Sequence, residues 1–277
     1  MTDTKTVQRL FDGLASEYDQ YIPFFATFGR ELVAWCDLQP GQRVLDIAAG
    51  RGAVAAPAAR AVGPDGEVLA IDTSPNMLRA LSADHPDLPQ LTTLVMDAYR
   101  LELPDACFDV VTCGFTFHLL DDPPQAIAEA HRVLRPGGLL AFSVQATSRP
   151  QGEDREAARQ RAIQWAFYWE LMKDMAERRS KPDPLTFSPS RPLPEICAET
   201  GFTGIEQRNT QAVFTMRDPQ HYWDWSMSHG SRSYVDSLGP ELAGEFRARM
   251  LAGLERMHAN GGITVDRPIV FYRMRKV

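Results

Sequence analysis

The chain has 277 residues, a formal net charge of −7, 44 % hydrophobic and 23 % charged residues, the composition of a soluble globular protein long enough to bury a full core. No Lys/Arg-rich block is present, so the electrostatic footprint for gripping a phosphate backbone is missing and nucleic acid is not expected as a partner. Cys36, Cys107, Cys113 and Cys197 stand without CxxC or CxH spacing, which argues against zinc, an iron–sulfur cluster or a disulfide framework and for reduced thiols in a cytoplasm.

The chain starts with MTDTKTVQRLF, which is polar and has no signal-like apolar stretch, and no apolar run is long enough for a bilayer, so no export and no membrane span are expected. Residues 1–42 read as helical, with a break at Pro23 between FDGLASEYDQYIPFF and FATFGRELVAWCDL. From Arg43 to Gln145 short apolar runs alternate with helical patterns: RVLDIA, EVLAID, LTTLVMD, FDVVTCGF and GLLAFSVQ. Such runs predict parallel strands buried on both faces, and the alternation predicts βαβ units. Turn signals lie at 63–66, 103–107 and 135–138, and Thr73-Ser74-Pro75 sets a capping hydroxyl ahead of a proline in the first helical turn.

Residues 150–202 are richer in charge and proline and contain the aromatic helix QWAFYWELM, which predicts a cap. Two strand-like runs, IEQRNTQAVFTM and PIVFYRMR, then flank a long helical stretch from Asp218 to about Met257. The expected fold is α/β: a Rossmann-like, seven-stranded, mostly parallel sheet with helices on both faces, an N-terminal helical lid and an inserted helical cap. Its expected divisions are a lid (1–42), a Rossmann-like core (43–149), a cap (150–203) and a C-terminal completion of the sheet with a helical stretch (204–277).

Gly50, Gly52 and Ala55 match G-x-G-x-x-G/A after the first strand, and Asp72 closes the next strand 20 residues after Gly52. Glycines let the backbone turn tightly against a ligand at a helix N-terminus, and a carboxylate ending the second strand can accept both ribose hydroxyls. That pattern alone fits a nicotinamide or flavin dinucleotide as well as an adenosine-type ligand. Asp46, just ahead of the glycines, separates the two. A carboxylate opposes a pyrophosphate but favours the ammonium and sulfonium of S-adenosylmethionine. The other reading of Asp46 is a satisfied carboxylate at a strand end.

The series VLDIAAGRG, VLAIDTSPNML, VMDAYRLELPDACFDVVTCGFTFHLLDD and HRVLRPGGLLAFSV resembles the successive motifs of the class I S-adenosylmethionine-dependent methyltransferases. The resemblance is to the small-molecule branch that includes the ubiquinone/menaquinone-biosynthesis enzymes, and it covers about residues 11–145. It implies that S-adenosyl-L-methionine is bound and S-adenosyl-L-homocysteine released. Gly50 and Gly52 would pass under the methionine part, with Asp46 placing its ammonium and Ala48 keeping the turn small. Asp72 would take the ribose hydroxyls, with Thr73 and Met77 along the adenine, Asp97 on its exocyclic amine and Ala98 on a ring nitrogen. Gly114 and Phe115 would border the methionine group, and Tyr18 would close over it. Met77 also reads as a core residue, Asp97 as a turn former, and RVLRPGG as architecture only.

An acceptor should approach over the end of the fourth strand, at GFTFHLLDD. His118 is the candidate base there, or else a residue that shapes the pocket. Tyr21, Phe25, Trp165 and Trp169 are the further candidate acceptor contacts, since aromatic clefts suit flat or greasy molecules. His221 and His229 are unranked second bases, and no metal is expected. The leading expectation is a methyltransferase of secondary or quinone-like metabolism acting on a small, aromatic or hydrophobic acceptor as a monomer or homodimer. A non-methylating isomerase, cyclase or sensor that binds the same cofactor would carry the same loop.

Overall fold

The computed structural model describes residues 4–146, 155–180, 185 and 191–277. Helices α1 (Thr4–Leu14) and α2 (Phe24–Cys36) lead into β1 (Arg43–Ile47), α3 (Ala55–Val62), β2 (Glu67–Asp72), α4 (Pro75–Asp84), β3 (Leu91–Val95) and β4 (Phe108–Gly114). A one-turn 3-10 helix (Phe117–Leu119), α5 (Pro123–Val133) and β5 (Leu134–Gln145) come next, then α6 (Arg155–Gln164), α7 (Ala166–Arg178) and α8 (Leu193–Thr200). The chain ends with β6 (Phe202–Met216), α9 (Pro219–Met227), α10 (Ser231–Ser237), α11 (Pro240–Ala259) and β7 (Ile263–Lys276).

The strands make one seven-stranded sheet in the order β3-β2-β1-β4-β5-β7-β6. Strands β1 to β5 pair in parallel, and β7 runs antiparallel to both β5 and β6. Strand order reverses between β1 and β4, which opens a crevice at their carboxyl ends. Side chains alternate along each strand, so each strand feeds two cores. Val44, Val110, Ile269 and Phe271 face α2, α3 and the later helices, while Leu45, Val111, Cys113 and Leu140 face α5 and α8. Asp46 and Thr112 pair across β1 and β4 in the phase of Val44 and Val110. The carboxylate therefore stands among apolar side chains on the first face.

The 150–203 segment divides between the two faces. Helix α7 packs on α11, where the Phe167 ring fills the space a Cβ on Gly253 would need. Helix α8 instead docks on α5 through Leu193, Ile196 and Cys197, on the opposite face. The cover over the first face is completed by α9, α10 and α11, from the segment expected to finish the sheet. The expected cap start at 150 lies outside the described residues. Among the described residues no helix is long and apolar enough to cross a membrane.

The N-terminal helices are fastened by charges. Pro23 offers no side-chain cap to α2, so Asp19 reaches forward and accepts the Phe25 and Ala26 N–H groups at 3.0 and 2.8 Å, a bond type that stabilises a helix end by about 1 kcal/mol. Asp12 in α1 accepts the Ser74 hydroxyl at 2.6 Å and the Asn76 N–H at 3.1 Å at the start of α4. Arg51 donates to the Ala15 carbonyl at 3.0 Å just past the end of α1, where the helix dipole favours a cation.

Candidate active site

After Ile47 the backbone turns through Ala48, Gly50 and Gly52, whose φ values are +55°, +53° and +86°. Glycine takes this left-handed region without strain, and at Gly52 a Cβ would strike the Leu81 side chain. The turn is tied to β2: Ala49 N–H donates to the Ile71 carbonyl and Gly50 N–H to Asp72 Oδ2, both at 2.9 Å. Asp72 Oδ1 accepts the Ser74 N–H at 2.8 Å. Burial raises the Asp72 carboxyl above its usual range, and these backbone bonds oppose the rise. Each oxygen keeps further acceptor capacity toward a ligand.

Asp46 is 1 % exposed. Its Oδ1 accepts the Thr112 hydroxyl at 2.7 Å, while its buried Oδ2 has no hydrogen-bond partner among the described residues. Burial pushes this carboxyl up to about 7. A buried carboxylate oxygen without a donor is costly and points to a ligand that supplies one.

A cavity of about 1030 Å³ lies over the strand ends and beneath the cover of helices. Around it stand Tyr18, Asp46, Ala48, Gly50, Gly52, Asp72, Thr73, Met77, Asp97, Ala98, Gly114 and Phe115. Of the expected acceptor contacts, Phe25, His118 and Trp169 also border it. Tyr18 stacks on Phe25 with ring centroids 4.7 Å apart, and burial drives its phenol far above the ordinary range. Asp97 does close a turn, its Oδ1 accepting the Tyr99 N–H at 3.0 Å, and still borders the cavity. Met77 is likewise both buried and part of the wall.

Tyr21 and Trp165 do not reach the cavity wall. The Tyr21 carbonyl lies 3.2 Å from His221 Nε2, and the Trp165 ring is covered by Phe167, Tyr168 and Tyr222 at centroid distances of 6.1, 6.0 and 5.3 Å. His221 is structural: its Nδ1 accepts the Arg217 N–H at 3.2 Å and its Nε2 faces the Tyr21 carbonyl.

Two partly buried imidazoles, His118 and His229, also border the cavity. His118 Nδ1 and His229 Nε2 have no hydrogen-bond partner among the described residues, and burial lowers each ring to about 4. His229 packs edge-on against Trp225 at 4.7 Å and Phe25 at 6.0 Å. Asp12, Asp19, Arg51 and Arg267 were not singled out by sequence reasoning. The first three carry no local pattern, whereas Arg267 has one: it falls in the apolar phase of the last strand, between Val265 and Ile269.

Residues 45–142 match the family described as a methyltransferase domain. The chain carries a class I S-adenosylmethionine-dependent methyltransferase domain. Nocamycin O-methyltransferase of Saccharothrix syringae is 28 % identical to the chain over 270 residues, 95 % of each. The demethylmenaquinone methyltransferase of Symbiobacterium thermophilum is 34 % identical over 142 residues, 48 % of this chain and 56 % of that relative. The match therefore spans little more than half of that relative's length. A solved structure from Bacillus halodurans C-125 superposes with a TM-score of 0.59 at 20 % identity, covering 90 % of this chain and 99 % of the other, and shares the fold.

The methyltransferase site fits its cofactor on structural grounds. The unpartnered oxygen of Asp46 suits an ammonium, the turn at Gly52 has no room for a side chain, and Asp72 is a carboxylate fixed at the end of β2.

Proposed function

We propose that the protein transfers a methyl group to an oxygen of a small aromatic or hydrophobic acceptor, in secondary metabolism. The observation that carries this reading is one cavity whose wall combines carboxylates with rings. Asp46, Asp72 and Asp97 line it at or just past the strand ends, and Phe25, Trp225 and His229, with Phe25 and Trp225 each packed against the His229 ring, line it together with His118 and Trp169. The choice of oxygen rests on the nocamycin relative, which aligns with nearly the whole chain and is named an O-methyltransferase.

In this reading Asp72 accepts the ribose hydroxyls, Asp97 and Ala98 pair with the adenine edge, and Thr73 and Met77 hold its faces. Asp46 receives the ammonium through Oδ2. Gly114 and Phe115 border the methionine part, and Tyr18, fixed against Phe25, closes the lid side. When bound, S-adenosylmethionine supplies a methyl on a sulfonium, open to displacement in line. His118 is neutral at pH 7 because burial lowers it to about 4. It accepts a hydrogen bond from the acceptor hydroxyl and takes the proton as the oxygen is alkylated. Phe25 and the buried Trp225 hold the acceptor's ring system and exclude water, and Trp169, itself 63 % exposed, borders the cavity from the solvent side.

The test uses S-adenosylmethionine labelled in its methyl group and a panel of hydroxylated naphthalenes and anthraquinones, with products read by mass spectrometry. Labelled methyl ethers support the proposal. Tight binding of the labelled cofactor with no label on any acceptor would overturn it and favour the non-methylating reading.

A further inference from the structure

Val265, Ile269 and Phe271 of β7 are buried on the helix-covered face, and Arg267 stands in the same phase of the alternation. A guanidinium thus occupies a position the strand pattern reserves for an apolar side chain. Its register partner on β6 is Ala212, whose small side chain leaves it room. Ile269 pairs with Gln145, the last residue of β5, so Arg267 lies just past the carboxyl edge of the sheet, where ligands bind in this architecture.

Arg267 borders the cavity beside Tyr168, Tyr222 and His229. Burial raises both phenols and lowers the imidazole, and the nearby guanidinium, which also donates to the Tyr222 phenol oxygen, opposes the first effect and adds to the second. Among the described residues no carboxylate forms an ion pair with Arg267. Its neighbour Asp266 is held by Gln211 at 2.6 Å and Arg161 at 3.2 Å. The carboxylates of the cavity wall, Asp19, Asp46, Asp72, Asp84, Asp97 and Asp121, form no ion pair with it among the described residues. Arg179, a second cation there, lies over the Tyr234 ring at 5.6 Å. A partly buried cation without a counter-charge weakens the fold unless a ligand neutralises it.

We infer that Arg267 receives a carboxylate carried by the acceptor, at the end remote from the methylated atom. The inference rests on the proposed acceptor chamber and names what enters it. His118 follows β4, and β7 lies two strands away in the sheet, about 10 Å at the usual interstrand spacing. That separation matches a hydroxyl and a carboxyl at opposite ends of about two fused rings. Arginine suits the task because its planar fork binds a carboxylate bidentately and stays charged at every working pH.

The test compares 6-hydroxy-2-naphthoate with 6-hydroxy-2-naphthamide by calorimetry on the S-adenosylhomocysteine complex of the wild type and of Arg267→Met. The wild type should bind the naphthoate at least about tenfold more tightly than the amide, a preference typical of one charge-assisted pair. Arg267→Met should erase the preference and leave S-adenosylhomocysteine affinity unchanged. Equal affinity for the two probes in the wild type, including no binding of either, would overturn the inference, as would a preference that survives in Arg267→Met. Loss of S-adenosylhomocysteine binding in the wild type would instead strike the parent reading, so the two failures are distinguishable.

Discussion

Asp46→Asn removes the charge at the cofactor end of the cavity and keeps the shape, because the amide oxygen can still accept the Thr112 hydroxyl that now sits 2.7 Å from Oδ1. In the free protein burial raises this carboxyl from 3.8 to about 7. A raised acid pKa means that stability is full below the unfolded value, falls as pH rises between the two, and stays low above the folded one. At about 1.4 kcal/mol per unit, the ionised Asp46 costs about 4 kcal/mol at pH 8, an order-of-magnitude figure. Asp46→Asn should therefore melt several degrees above the wild type at pH 8, with the gap closing toward pH 4. Its affinity for S-adenosylhomocysteine should fall about 10- to 100-fold through loss of one charged hydrogen bond. Wild-type affinity should also weaken on the acid side of pH 7 as Asp46 takes up a proton, and that limb should vanish in the variant. An alkaline limb set by the ligand's own amine, near pH 8, should remain in both. Scanning calorimetry from pH 4 to 8 and titration calorimetry from pH 5.5 to 9 read these quantities. If Asp46→Asn melted lower at pH 8, or bound S-adenosylhomocysteine within threefold of the wild type, the assignment of Asp46 to the ammonium would be wrong.

Asp72→Asn should lower S-adenosylhomocysteine affinity at least about tenfold. Alanine is the poorer probe here, since both carboxylate oxygens accept loop N–H groups at 2.8 and 2.9 Å, and unchanged affinity in the asparagine variant would remove the ribose role. His118→Ala should cut kcat about 100-fold and leave S-adenosylhomocysteine affinity within twofold. Because burial lowers His118 to about 4, wild-type kcat at saturating cofactor should show no inflection near pH 6.5, and such an inflection lost in His118→Ala would contradict this environment. Asp12→Ala breaks the bonds from α1 to Ser74 and Asn76 and should speed S-adenosylhomocysteine release about tenfold in stopped-flow fluorescence. An unaltered release rate would mean that α1 is not a lid.

Four of the five parallel strands were legible because strands buried on both faces read as unbroken apolar runs; β3 departs from that expectation, with Leu94 and Val95 exposed, because it is an edge strand paired on one side only. The glycine turn with Asp46 and Asp72 was legible because its spacing is local. The two late strands were legible too, and β7 and β6 do extend the sheet beyond β5. The make-up of the cover was hidden. Helices α7 and α8 are close in sequence yet pack on opposite faces of the sheet, because helices of 13 and 8 residues can each satisfy an apolar stripe on either side. The aromatic candidates for acceptor contact were informative only as a set: Phe25 and Trp169 border the cavity, whereas Tyr21 and Trp165 are taken up by neighbours. The tethers Asp12, Asp19 and Arg51 act across 6 to 64 residues of chain, and nothing in a single sequence marks such partners. Asp46 and Arg267 share a different logic, each being a charge set in the apolar phase of a strand. That violation of strand patterning is visible in sequence once the face of the strand is known, and functional sites are where it is expected.

The central claim, one cavity with a cofactor end and an acceptor end, is tested most directly by a crystal structure of the S-adenosylhomocysteine complex. The account predicts the ribose hydroxyls on Asp72, the ammonium within hydrogen-bond distance of Asp46 Oδ2, and open volume left between His118, Trp169 and Arg267. A ligand that makes neither carboxylate contact, or whose own length fills the chamber as far as Arg267, would contradict it.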